Sequence, residues 1–202
     1  MNGKFFDLKK EKQDRMINAA LKIFALQGYR HASTDDIVRE AAISKGLLFH
    51  YFGSKIGVYK FIYDYSVRYM TLELRSTVDP AERDLFAVMK QTECARMHAM
   101  RGYPYMQQFL NRSMSEDVSE ALLAIEEKRG ALEEVYQAIN AQIDYSRLPG
   151  KVDGEKLRKM LDFTIKGLMT ERFQDASFQP EMLYEEICVY LDMMRELVCA
   201  PQ

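Results

Sequence analysis

STDDIVREAAISKGLLFHYFGSK, residues 33–55, decides how the rest of this chain is read. Ser33 or Thr34 is suited to cap a helix, and Asp35 and Asp36 complement the positive end of its dipole. Ile37, Val38, Ala41 and Ala42 give that short helix a buried face, and Ile43 lies in the turn that ends it. Ser44 caps a second helix, Lys45 to about Phe52; Gly53 ends it and Ser54 caps a third. Two helices this short cannot persist alone, so the preceding helix must hold them. A pair of short helices joined by a turn of ~3–4 residues, packed on a third, is the layout of a helix-turn-helix, whose second short helix enters a DNA major groove.

The charges of the stretch agree with this reading. Lys45 and Lys55 stand at the first position of consecutive helices, where a cation is mildly unfavourable. An external anion compensates them, because a phosphate accepts from Ser, Lys and backbone N–H groups together; otherwise both lysines extend into water. Gly46 costs roughly 1 kcal/mol inside a helix, which is accounted for either by backbone approaching DNA closely or by packing against the neighbouring helix. Phe49 and Phe52, three apart, are expected to pack inward. His50 and Tyr51 then point elsewhere, each with a polar tip able to reach a phosphate or base edge.

Outward from this stretch the chain reads as helical throughout. Met16, Ala20, Ile23 and Phe24 form one stripe of a helix from about Leu8 to Gln27, which Gly28 stops where positive φ is cheap only for glycine. Further helices are expected near 54–77, 80–101, 104–113, 116–145, 153–176 and 180–199, with Pro80 at a first helical position and a break at Leu148-Pro149-Gly150. β-branched alternation is absent, so the expected class is all-α.

Composition excludes several classes. Hydrophobic residues make up 48% and charged residues 29%, which is globular rather than disordered usage. No apolar run of about 18 residues exists, so no membrane span is expected, and MNGKFFDLKKEKQDRM lacks the long apolar core of a signal peptide. The cysteines Cys94, Cys188 and Cys199 are odd in number and widely spaced, which fits a cytoplasmic chain without a disulfide framework. Residues 1–60 hold 11 Lys and Arg against 6 Asp and Glu, a net of +5, and the remainder holds 17 against 24, a net of −7. A basic head on an acidic body points to a polyanion partner for the head alone. HExxH, GxSxG, P-loop and dinucleotide fingerprints are absent. Cys94 and His98, four apart, make at most half a metal site. Neither an enzyme nor a cofactor or metal dependence is expected.

Residues 9–60 resemble the DNA-binding domain of the TetR family of bacterial repressors, through AALKIFALQGYRHASTDDIV, then REAAISKGLLFHYFGSK, then an aromatic-rich long helix. The rest of the chain resembles the family only in length and helical layout. The resemblance implies an N-terminal three-helix helix-turn-helix DNA-binding domain (1–53) and a C-terminal helical ligand-binding and dimerisation domain (54–202), joined by the helix that starts at Ser54. It implies a cytoplasmic homodimer, an inverted-repeat double-stranded operator and a small-molecule effector. On the matching positions, Thr34, Ser44, Lys45, Gly46, Leu47, His50, Tyr51 and Lys55 are the expected DNA contacts. The chain departs from the family pattern at Ala42, where glycine is usual in the turn, at Leu47, at Phe49 in place of tyrosine, and at Ile56-Gly57.

The body is rich in soft side chains: of 13 methionines, 11 follow residue 60. Such residues suit a binding surface that adapts to several shapes, or plain core. With the resemblance, Tyr65, Tyr69, Met97, Met100, Tyr105, Met106 and Phe109 are the expected pocket residues, for an apolar or amphipathic ligand. Leu161, Ile165, Leu168, Phe173, Ile187, Tyr190, Leu191 and Met194 are the expected dimer face, as a four-helix bundle across a two-fold axis. The competing reading within the same fold is a ligand-independent DNA-binding or protein-recruiting chain with a solid body.

Overall fold

Gly28 adopts the expected positive φ, 68°, with a non-helical ψ of 172°, so the first long helix is interrupted there by a kink and a short helical run follows. The computed structural model describes residues 3–175 and 177–199, and these form α-helices, one 3-10 turn and no strands. In chain order the helices are α1 (Gly3–Phe6), α2 (Lys10–His31), α3 (Thr34–Ala41), α4 (Lys45–Phe52), α5 (Lys55–Thr77) and α6 (Leu85–Gly102). They continue with α7 (Met106–Met114), α8 (Ser119–Arg129), α9 (Ala131–Ala141), α10 (Gly154–Arg172) and α11 (Pro180–Cys199). The all-α class expected from the sequence is the one observed.

Three expected boundaries are corrected. Pro80 does not open a helix: residues 79–84 form a turn in which the Asp79 carboxylate accepts from Ala81 N at 2.8 Å, and Asp84 caps α6 by accepting from Ala87 N at 2.9 Å. The helix expected over 116–145 is two helices, broken at Gly130 between α8 and α9, where the residue of lowest helix propensity short of proline follows the basic pair Lys128-Arg129. The helix expected to reach residue 176 ends at Arg172, and residue 176 lies outside the described residues.

The chain packs as two compact units. The first comprises the residues up to Met70 with Gly102–Glu133, and the second Thr71–Arg101 with the residues from Glu134 onward. In the first unit Met16, Ile17, Ala20, Leu21 and Phe24 of α2, Ile37 of α3, Leu48 of α4, Tyr59 and Ile62 of α5, and Phe109 of α7 are all fully or nearly fully buried. Phe24, Tyr59 and Phe109 meet ring to ring, at centroid separations of 5.0–6.3 Å. In the second unit Phe86 and Met89 of α6 pack with Leu157, Leu161 and Ile165 of α10 and with Leu183, Ile187 and Leu191 of α11. The ion pair of Glu93 and Arg96 lies inside this unit, with the Arg96 guanidinium 4.9 Å from the Tyr136 ring centroid. Burial raises the Glu93 carboxyl above its usual range, and Arg96 opposes that rise.

Candidate nucleic-acid interface

The local chemistry of residues 33–57 sets the reading head residue by residue. Ser33 Oγ accepts from Asp35 N at 3.1 Å and starts α3. The chain leaves α3 through Ala42 in the left-handed region, φ 50° and ψ 51°. Glycine is favoured in that conformation, so Ala42 carries local strain. Ser44 Oγ then accepts from Leu47 N at 3.2 Å and starts α4, Gly53 closes it at φ 73°, and Ser54 Oγ accepts from Gly57 N at 3.1 Å at the start of α5. The expected caps and both turns are present.

The buried face of α4 differs from the expectation. Leu48 is its fully buried residue, while Phe49 and Phe52 are half-buried. The 3.6-residue period places Leu48 and Phe52 on one face. Phe52 packs against Phe5 at 5.3 Å and Phe61 at 4.9 Å, and the edge of the Tyr51 ring meets Phe5 at 5.8 Å. Tyr51 therefore does not point freely outward; it is half-buried beside Phe5. Phe5 itself is fully buried. Gln13 secures it by donating to the carbonyls of Phe6 at 3.1 Å and Leu8 at 2.7 Å, which ties α1 to α2. The aromatic pair Phe5-Phe6, standing in a charged N-terminal segment, was the signal for this buttress.

Of the expected contact residues, Ser44, Lys45, Gly46 and His50 are exposed, and Thr34, Leu47, Tyr51 and Lys55 are half-buried. A Cβ added at Gly46 would meet nothing within 4 Å, which rules out a packing glycine and leaves the backbone of α4 open to approach. Lys45 Nζ pairs with Asp35 Oδ1 at 2.8 Å across the turn. Lys55 does not extend into water either: its Nζ lies 4.5 Å from the Tyr29 ring centroid and 3.4 Å from the Arg30 carbonyl. Burial pulls the Lys55 ammonium below its usual value, with Glu120 and Glu116 opposing.

Gly57, one of the departures from the family pattern, is a requirement of the packing. A Cβ there would stand 1.9 Å from the Phe52 carbonyl oxygen, so α5 can begin this close to the end of α4 only with glycine at 57.

With this geometry in place, comparison with known proteins is informative. A family model described as bacterial regulatory proteins, tetR family, matches residues 16–60. Over these residues the chain carries a TetR-family DNA-binding domain. It is a DNA-binding transcriptional regulator, and its helix-turn-helix is α3–α4. Over 191 residues it is 25% identical to the HTH-type transcriptional regulator SrpR of Pseudomonas putida, covering 92% of this chain and 86% of that one. Over 98 residues it is 33% identical to the regulator HbdR of Aromatoleum sp. strain CIB, covering 46% of this chain and 42% of that one. A TetR family regulator from Chloroflexus aurantiacus shares the fold, with a TM-score of 0.61, 22% identity, and coverage of 96% of this chain and 94% of that one. No helix among the described residues is long and apolar enough to cross a membrane.

The residues expected to line a pocket are distributed over both units. Tyr65, Tyr69, Tyr105, Met106 and Phe109 belong to the first unit, and Met97 and Met100 to the second. Tyr65 and Tyr69 surround Tyr103, whose hydroxyl lies 2.6 Å from that of Tyr65 and donates to Asp14 at 2.7 Å, near Lys10. Burial, followed by these hydrogen bonds, raises the Tyr103 hydroxyl well above its ordinary value, so it stays a donor. Met106 and Phe109 are core of the first unit, and Met100 is core of the second. An apolar groove of about 240 Å³ does exist in the second unit, lined by Leu74, Val78, Val135, Ala138 and Ile139 among others. Cys94 Sγ lies 3.7 Å from His98 Nε2, and no group of three or more metal-binding side chains occurs among the described residues.

The expected dimer face also divides. Leu161, Ile165, Leu168, Ile187 and Leu191 are buried within one chain, and Phe173 and Met194 are half-buried against the same core. Of that set only Tyr190 is exposed. The exposed apolar residues of α10 and α11 are neighbours of the expected ones: Met160 and Phe163, then Met182, Val189, Met193 and Leu197, the last four on one helical face. Both helices are amphipathic with broad apolar arcs, and only packing shows which edge of the arc is left uncovered.

Proposed function

We propose that this regulator is a homodimeric repressor that binds an inverted-repeat operator through α4 and is released by an apolar or amphipathic effector. The observation that carries the DNA part is the exposed edge of α4: Ser44, Lys45, the open backbone at Gly46, and His50, on a helix anchored by Leu48, Phe52 and Phe5. In this reading Thr34, Ser44, Lys45 and Lys55 hold phosphates, while Gly46, Leu47, His50 and Tyr51 lie along the groove. Leu47 offers apolar contact to thymine methyl groups. Residues 1–53 act as the reading head, and the chain from 54 onward carries dimerisation and effector response.

Dimerisation is assigned to the stripe Met160, Phe163, Val189, Met193 and Leu197 in place of the buried leucines. Two reading heads must meet half-sites one DNA turn, about 34 Å, apart. The effector is assigned to the groove lined by Leu74, Val78, Val135, Ala138 and Ile139. Effector and operator then weaken each other by the same factor.

Gel-shift titration against genomic fragments tests the reading. Binding is expected to fall steeply with salt and to vanish in the Lys45→Ala/Lys55→Ala variant while the dimer persists. Retention of binding in that variant refutes the contact set. Val189→Glu is expected to yield a monomer by sedimentation; a dimer would refute the stripe. Filling the groove with Ala138→Trp is expected to abolish release by any effector. Operator binding that no small molecule alters would instead favour the ligand-independent reading, for which the packed Met106 and Phe109 speak.

A further inference from the structure

Of two cations at the edge of the reading head, Arg30 pairs with an acidic residue of this chain, and Lys55 rests on an aromatic ring whose hydroxyl another acidic residue holds. Glu116 Oε2 accepts the backbone N–H of Tyr29 at 3.2 Å, and Glu120 Oε2 accepts the Tyr29 hydroxyl at 2.6 Å. Asp117 pairs with Arg30 at 3.5 Å. Lys55 rests on the same Tyr29 ring and on the Arg30 carbonyl, and Glu120 and Glu116 help keep its ammonium charged against the pull of burial. The turn between α7 and α8 and the start of α5 thereby both meet the end of α2. A polar concavity of about 290 Å³ beside it is lined by Tyr29, Arg30, His31, Arg112, Glu116 and Asp117 among others.

We propose that Glu116 and Glu120 are positioning residues for DNA binding: they fix Tyr29, whose ring carries the Lys55 ammonium, and their negative charge beside it weakens its hold on an operator phosphate. The Tyr29 ring, oriented by its bond to Glu120, is the surface on which Lys55 is held. This rests on the proposed role of Lys55 as a phosphate contact.

The test is the Glu116→Gln/Glu120→Gln variant, in which the amide oxygens still accept from Tyr29 but the charge is gone. Operator affinity is expected to rise about fivefold for the dimer, a typical effect of freeing one exposed or half-exposed cation per protomer. The salt dependence is expected to steepen by about one unit per half-site. A control, Glu126→Gln/Glu127→Gln, removes two charges from α8 without touching the latch. Unchanged or weaker binding, or equal tightening by the control, overturns the proposal. A second readout needs no DNA: the rate of Lys55 acylation by a water-soluble succinimidyl ester, measured by peptide mass spectrometry against Lys45. The ratio is expected to rise in the variant, and an unchanged ratio overturns the latch. If the ratio rises while the wild-type protein retards no DNA, the phosphate-contact reading fails and the charge latch stands.

Discussion

Replacing Gly46 with alanine should move stability and operator affinity in opposite directions. In the free protein an added Cβ meets nothing within 4 Å, so no packing penalty opposes it. Alanine also restricts the unfolded chain, and glycine is worse than alanine in a helix by roughly 0.5–1 kcal/mol. Gly46 is the second residue of α4, where the full interior value does not apply, so the expected gain is about 0.5 kcal/mol. For a chain of this length that corresponds to a rise in the unfolding midpoint of roughly 1–2 °C. On the operator the same methyl enters the space that backbone and DNA would share. Overpacking a close interface costs about 1–3 kcal/mol, and a dimer bound as proposed would meet it in both half-sites, so affinity should drop at least about tenfold. Thermal unfolding gives the first quantity, and fluorescence anisotropy with an operator duplex gives the second. A variant that is more stable and binds within twofold of wild type would refute the assignment of Gly46 to the DNA-facing surface.

Three further substitutions test other parts of the argument. Gly57→Ala forces a Cβ against the Phe52 carbonyl, a backbone atom that cannot swing away, and is expected to destabilise the first unit by about 1–3 kcal/mol in urea unfolding; a change below about 0.5 kcal/mol would show that α5 can start elsewhere. Phe5→Ala removes the ring beneath Tyr51 and Phe52, and about 3 kcal/mol of lost packing should appear as faster amide exchange in α4; unaltered exchange there would mean α1 is not a buttress. Arg96→Met leaves Glu93, only 4% exposed, without its cation and is expected to cost about 3–5 kcal/mol at neutral pH. Glu93 is already raised by burial, and loss of Arg96 raises it further. A carboxyl raised in the folded state contributes stability that is present below its unfolded value of about 4.3 and lost as pH rises through the folded value. The deficit should therefore shrink toward pH 4 and grow above it; a pH-independent deficit would contradict the mechanism.

Much of the reading head was legible because its determinants are local. Serine caps, stop glycines and short spacings act within a few residues, so the bounds of α3 and α4 could be read from residues 33–55 almost as they occur. What failed was anything requiring a partner distant in sequence. Phe49 and Phe52 looked like the anchors of α4, yet Leu48 and Phe52 are, with Phe52 held by Phe5 of α1 and Phe61 of α5. Lys45 and Lys55 looked free, yet one pairs with Asp35 and the other lies on Tyr29. Leu161 and Leu191 looked like dimer contacts because a broad apolar arc does not say which edge the chain itself will cover.

The sequence by itself determined an all-helical chain, a helix-turn-helix with its caps and turns, and the charge contrast between head and body, since each follows from residue type and short-range spacing. Tertiary structure alone decided that Phe5 supports α4, that Gly57 has no alternative, and that Glu116 and Glu120 face the Tyr29–Lys55 edge. It also decided that Val189 and Met193 are left exposed. These depend on which helices meet, and contacts across 80 or more residues, such as Tyr29 with Glu120, leave no periodic trace in a single chain.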